Sequence, residues 1–106
     1  MSYFHENGLF YELNNDNYTS IIKTCNQNIQ TITIPQSIYY QSHNYIIIAI
    51  GPFSFAYHEN IQNVEFACDS KIEIIDKEAF IHSNLMRISI PPSLTKIGEK
   101  AFFLCE

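Results

Sequence analysis

Apolar positions along the chain recur in a unit that is used about three times. Leu85, Ile88 and Ile90 stand three and then two residues apart. Pro91-Pro92 follows, then Leu94, Ile97, Gly98 and Ala101-Phe102. Ile61, Val64 and Phe66 repeat the opening spacing, ahead of Ile72, Ile75, Ala79 and Phe80. Ile29, Ile32 and Ile34 repeat it once more, ahead of Pro35, Ile38, Ile50 and Phe55. The alternation at 87–90 predicts a strand with Ile88 and Ile90 on one face and Arg87 and Ser89 on the other. Pro91 ends that strand, because it has no N–H to give to a ladder. Leu94 and Ile97 point inward again and Gly98 permits a tight bend. Residues 99–102 are then expected to form one short helical turn that places Ala101 and Phe102 in the core.

The spacing carries more than the pattern. Triplet 61, 64 and 66 maps onto 85, 88 and 90 with a constant offset of 24, whereas Phe55, Phe80 and Phe102 are 25 and 22 apart. The extra length therefore lies between the strand and the second half of each unit. It amounts to two residues within 67–71 in the middle unit. In the first unit it is a longer insertion, in which residues 39–45, with Tyr39, Tyr40 and Tyr45, are expected to loop out. Repeats of 20–29 residues with insertions at one point are the mark of a leucine-rich-repeat solenoid. The expected fold is thus a β-rich solenoid of about three repeats of 22–25 residues, with a parallel strand ladder and short helical turns. Its units fall at roughly 29–60, 61–84 and 85–106.

Residues 1–28 do not fit the unit. Residues 9–13 and 18–23 read as strands around the turn Asn14-Asn15-Asp16-Asn17, so an N-terminal β-hairpin cap is expected, covering the apolar end of the first repeat. Asn17-Tyr18-Thr19 also spells a glycosylation acceptor, but turn chemistry accounts for these residues. No polar capping segment follows the last unit, and Phe103 and Leu104 are the expected self-association end.

The stretch Ile-Ser-Ile-Pro-Pro-Ser-Leu-Thr-Lys-Ile-Gly-Glu-Lys-Ala-Phe at 88–102, with Cys105 three residues on, resembles the BspA-like leucine-rich repeats, also called the Treponema pallidum type. Residues 33–38 with 50–55 form a looser copy. Residues 72–80 are looser still, with Asp76 in place of the Gly. The resemblance covers roughly residues 29–106. It implies a right-handed curved solenoid with the ladder on its concave side, and a role in extracellular recognition as a surface antigen or adhesin of bacteria and parasitic protists. The chain shows no secretory leader and no apolar run long enough to span a bilayer, so a cytoplasmic location stands beside the cell-surface one.

Composition narrows the function. The net charge is −5 and no Lys/Arg cluster is present, which excludes nucleic acid and an anionic membrane surface as partners. Cys25, Cys68 and Cys105 are too far apart in sequence for a zinc motif and read as free thiols. One disulfide with a free thiol is the alternative. His58 and His82 sit just after the Phe anchors of successive repeats, with Glu59 as a candidate further ligand, but no third ligand converges on them, and exposed loop histidines are the expectation. Asp76, Glu78 and Glu99 read as solvated turn residues. The sequence carries no nucleophile elbow and no phosphate-cradling loop. No enzyme activity and no cofactor is therefore expected. The expected function is binding of a protein partner through the outward strand residues Thr31, Thr33, Asn63, Glu65, Arg87 and Ser89, with Tyr39, Tyr40 and Tyr45 as a recognition loop. The alternative is a structural module that forms homo-oligomers through its C-terminal end.

Overall fold

A computed structural model describes residues 2–105; Met1 and Glu106, the outer limits of the cap and of the last unit, lie outside the described residues. The N-terminal part is a meander of β1 (Ser2–Glu6), β2 (Leu9–Asn14) and β3 (Thr19–Cys25), antiparallel throughout. The expected hairpin of β2 and β3 is thus the second half of a three-stranded meander. Alternation decides its faces: Leu9, Tyr11 and Leu13 are buried, while Phe10 between them is exposed.

Two ladders follow. β4 (Thr31–Ile34) opens the first, and after it come β5 (Ser37–Tyr40) and β6 (His43–Ile50). β7 (Asn63–Phe66) and β8 (Ile74–Ile75) belong to the middle unit, β9 (Arg87–Ile88) and β10 (Lys96–Ile97) to the last. One sheet is the parallel ladder β4-β7-β9. The other runs β1-β2-β3-β6-β8-β10, with β5 also paired to β6. The registers reproduce the sequence offsets. Asn63 pairs with Arg87, an offset of 24. Ala49 pairs with Ile74 and Ile74 with Lys96, offsets of 25 and 22. Because β3 pairs parallel with β6, the cap is continuous with the second ladder.

The core lies between the two sheets. Ile22, Ile34, Ile50, Ile61, Ile72 and Ile75 are fully buried, each contributing on the order of 1.5–3 kcal/mol relative to an exposed side chain. Phe55, Phe80 and Phe102 form one column, with ring centroids 4.8 and 5.4 Å apart and planes 3° and 7° from parallel. Pro35 directly follows β4, as its missing N–H requires, whereas β9 ends at Ile88, three residues before the Pro91 that was expected to end it.

No helix is present among the described residues. In place of the expected helical turn at 99–102 there is a chain of tight turns. Each ring of the column is flanked two residues before and after by a left-handed residue: Phe53 and Tyr57, Glu78 and His82, Lys100 and Leu104. This alternation aims every second N–H along the solenoid axis. Phe53, Phe55 and Tyr57 donate to the carbonyls of Lys77, Ala79 and Ile81; Glu78, Phe80 and His82 donate to Glu99, Ala101 and Phe103. Gly98 is not left-handed, so it does not serve as a conformational hinge. A β-carbon there would strike the backbone of Asp76 and Lys77 in the preceding coil.

The insertion in the first unit is not a loop. β5 and β6 form a hairpin closed by Gln41 and Ser42, both left-handed (φ 47° and 68°), as a two-residue hairpin turn demands. The hairpin lies against the cap, with the Tyr40 ring 5.0 Å from that of Phe4, which in turn is 6.4 Å from Tyr11.

Candidate binding face and open end

The first ladder brings the six outward residues into two rungs. Thr31, Asn63 and Arg87 share one, in register across β4, β7 and β9. Thr33 and Glu65 begin the other, and Ser89 continues it, its N–H donating to the Val64 carbonyl at 3.2 Å. Asn63 is half-buried and the other five are exposed. Internal bonds are few and long: Asn63 Nδ2 donates to Thr31 Oγ1 at 3.3 Å, and Thr33 Oγ1 to Glu65 Oε1 at 3.4 Å. The only ion pair among the described residues, Lys23–Glu12 at 3.4 Å, lies in the cap. Arg87 and Glu65 therefore present charge that no described residue pairs.

The three tyrosines part company. Tyr39 is 65% exposed. Tyr40 is half-buried against Phe4. Tyr45 is only 4% exposed, with its hydroxyl donating to Asn15 Oδ1 at 2.8 Å. Tyr45 belongs to the cap core, and Tyr39 alone of the three offers a free ring face.

In the last coil Phe103 and Leu104 are exposed, and so is Ile97 (51%), which was expected to point inward. By the pattern of the turn ladder, the N–H groups of Lys100, Phe102 and Leu104 are the next donors along the axis, and no described residue accepts from them. Ile97, Phe103 and Leu104 thus lie exposed near a strip of three donors spaced two residues apart, with the Lys100 ammonium 5.5 Å from the Phe103 ring centroid.

Sequence reasoning missed His58, which is not an exposed loop residue. It is fully buried. Its Nδ1 accepts from the N–H groups of Ile61 (3.0 Å) and Asn60 (3.3 Å), so the ring proton sits on Nε2 and is donated to the Asn26 carbonyl at 3.0 Å. The side chain ties the cap to the first coil. Three residues after each column ring the same place is taken by His58, Ser83 and Cys105, a polar series that offset counting could have found. Among the described residues no group of three His, Cys, Asp or Glu could hold a metal ion. Cys25 is buried, Cys105 half-buried and Cys68 exposed, all three as free thiols. Burial pushes the Cys25 thiol up to about 12. Burial, aided by the negative charge of Glu6, also raises Tyr11 well above the usual phenol range.

The architecture is that of the repeats the sequence resembles. Residues 10–106 match the model of the BspA type leucine rich repeat region (6 copies). The chain belongs to this family. The BspA-type match takes in β2 and β3 as well as the coils. Among solved structures, the chain is similar to a leucine rich repeat protein of T. pallidum, with a TM-score of 0.77 and 20% identity over 97% of this chain and 46% of the other. A leucine-rich repeat protein from Bacteroides ovatus gives 0.58 and 16%, covering 93% of this chain and 38% of the other. The pneumococcal vaccine antigen PcpA gives 0.60 and 19%, covering 97% and 36%. The chain spans less than half the length of each of these three. No curated protein is significantly similar to it in sequence.

Proposed function

We propose that the chain is a non-enzymatic recognition module that binds a protein partner through the face of the β4-β7-β9 ladder, in the manner of a surface antigen. The observation that carries this reading is the alignment of Thr31, Asn63 and Arg87, and of Thr33, Glu65 and Ser89, as two outward rungs. Polar side chains on a strand ladder, with a cation at Arg87 and an anion at Glu65 that no described residue pairs, suit a complementary protein surface. At a strand spacing of ~4.8 Å the outer strands lie only about 10 Å apart, so each contact is weak and affinity rests on multivalency. Tyr39 at the edge adds a rigid aromatic anchor. A cell-surface location and adhesion to host cells belong to the same proposal.

The test compares the wild type with the R87A/E65A double variant for binding to intact epithelial cells by flow cytometry. The expected result is a loss of about tenfold or more in affinity with an unchanged melting temperature. Equal binding moves the site off the ladder, and a collapsed melting temperature makes these residues structural.

A second reading, assembly through the C-terminal end, is favoured by the exposed Phe103 and Leu104 and by the three N–H donors beside them. Because those donors all point outward, two identical ends would oppose donor to donor. Assembly is therefore head to tail, with the partner supplying carbonyl oxygens. Size-exclusion chromatography tests it: oligomers that vanish in F103E support assembly, and a clean monomer at high concentration removes it.

A further inference from the structure

Asn17 and Tyr18 end the connection between β2 and β3 and Thr19 opens β3; of the ten asparagines in the chain only Asn17 is followed two residues later by Ser or Thr. We propose that Asn17 is an acceptor site for an N-linked glycan, added when the chain passes through a glycosylating compartment. The motif alone is weak, since turns are rich in Asn and Thr, but the structure adds three observations.

The first is availability. The side-chain amide nitrogens of Asn15, Asn60, Asn63 and Asn84 are already spent as donors, to Ser2 Oγ, the Gln27 carbonyl, Thr31 Oγ1 and the Glu59 carbonyl. Asn17 Nδ2 donates to no described residue. The second is the state of the hydroxyl that the motif requires. Thr19 Oγ1 already lies 2.7 Å from Asn17 Oδ1, so acceptor amide and hydroxyl face each other across one residue. The third is room. Residues 14–18 form an exposed run at the tip of the meander, and Tyr18 between the two motif residues stacks on His43 at 4.2 Å. A large hydrophilic group on Asn17 projects into solvent and displaces no core residue. It also leaves from the cap, on the other sheet from Thr31, Asn63 and Arg87, so the modification is compatible with the ladder as a binding face and does not depend on it.

The step is a glycosyl transfer. Asn17 Nδ2 attacks the anomeric carbon of an oligosaccharide carried on a polyprenyl pyrophosphate. The new C–N bond forms as the C–O bond to the pyrophosphate breaks. The lipid pyrophosphate leaves with the electron pair, and Nδ2 gives up one proton.

The full chain, fused to a cleavable secretory leader, is translated in a cell-free extract with microsomes. Protease protection identifies the segregated chains. The expected result is one slower-migrating protected band that collapses on treatment with peptide N-glycosidase, leaving Asp in place of Asn17 by mass spectrometry. The band is absent in N17Q and T19V and returns in T19S. Protected wild-type chain at its unmodified mass overturns the proposal, as does a glycan that persists in N17Q.

Discussion

Phe55 and Phe80 lie face to face, with centroids 4.8 Å apart and ring planes 3° from parallel. Both are fully buried, whereas Phe102 at the end of the same column is only partly so. Truncating the middle ring leaves a cavity between two coils, so Phe80→Ala is expected to cost about 3–5 kcal/mol. Phe102→Ala, losing contacts on one side only, is expected to cost roughly half as much. Urea unfolding of the two variants checks the ratio; equal losses would mean that the column is not the axis of the core.

His58 gives a second prediction. Removing its ring in His58→Ala strands the Asn26 carbonyl and the N–H groups of Asn60 and Ile61 in a buried site. Each such group costs about 1–3 kcal/mol, so a loss of several kcal/mol is expected. Faster hydrogen exchange at Ile61 in the same variant would show that the effect is local to the seam between cap and first coil.

Ser20 gives a prediction of opposite sign. Its hydroxyl is the one buried side-chain polar atom among the described residues that bonds to no protein group. Ser20→Ala is expected to raise stability by about 0.5–2 kcal/mol, readable as a higher melting temperature.

The buried thiol and phenol set the alkaline limit. Folded Cys25, pushed up to about 12 from an ordinary 9.0, stays protonated where the unfolded chain ionises. Its contribution is complete below pH ~9 and is lost as pH rises toward 12; Tyr11, shifted the same way, adds to the loss higher up. Stability is expected to fall across that window, less steeply in Cys25→Ala. At pH 8 a thiol reagent should modify Cys68 rapidly and leave Cys25 untouched in the folded protein.

Backbone strain is testable at Glu78, left-handed with φ 52°. Glu78→Gly is expected to be neutral or stabilising by up to about 1 kcal/mol, because glycine holds that conformation without a steric penalty. Glu78→Val, β-branched, is expected to destabilise by roughly 1–2 kcal/mol. Thermal unfolding of the pair separates strain from side-chain loss.

The parts of the fold that follow from local pattern were legible in the residues. The offset of 24 between Val64 and Ile88 is the register of β7 on β9, and the offsets of 25 and 22 along Phe55, Phe80 and Phe102 are those of the second ladder. What failed depended on distant partners. Tyr40 and Tyr45 sit in a polar-rich stretch and look like loop aromatics; only Phe4 and Asn15, some thirty residues upstream, make them interior. The helical turn failed because left-handed backbone is ordinarily announced by Gly or Asn, and here it is held by Glu78, His82, Lys100 and Leu104. On the ladder the alternation named the outward residues, but the bonds joining Thr31 to Asn63 and Thr33 to Glu65 appear only when the strands are set side by side.

The two ladders keep different time. From first to second coil the β4-β7 ladder advances 32 residues while β6-β8 advances 25; from second to third the advances are 24 and 22. A search for this repeat at any single period therefore brings one side of the molecule into phase only by throwing the other out. The corner where the two counts diverge, just past the end of each first-ladder strand, is where the chain can gain or lose length without either side losing step. A foreign peptide grafted there, opposite Ala67 or after Pro92, would be carried by an otherwise unaltered frame.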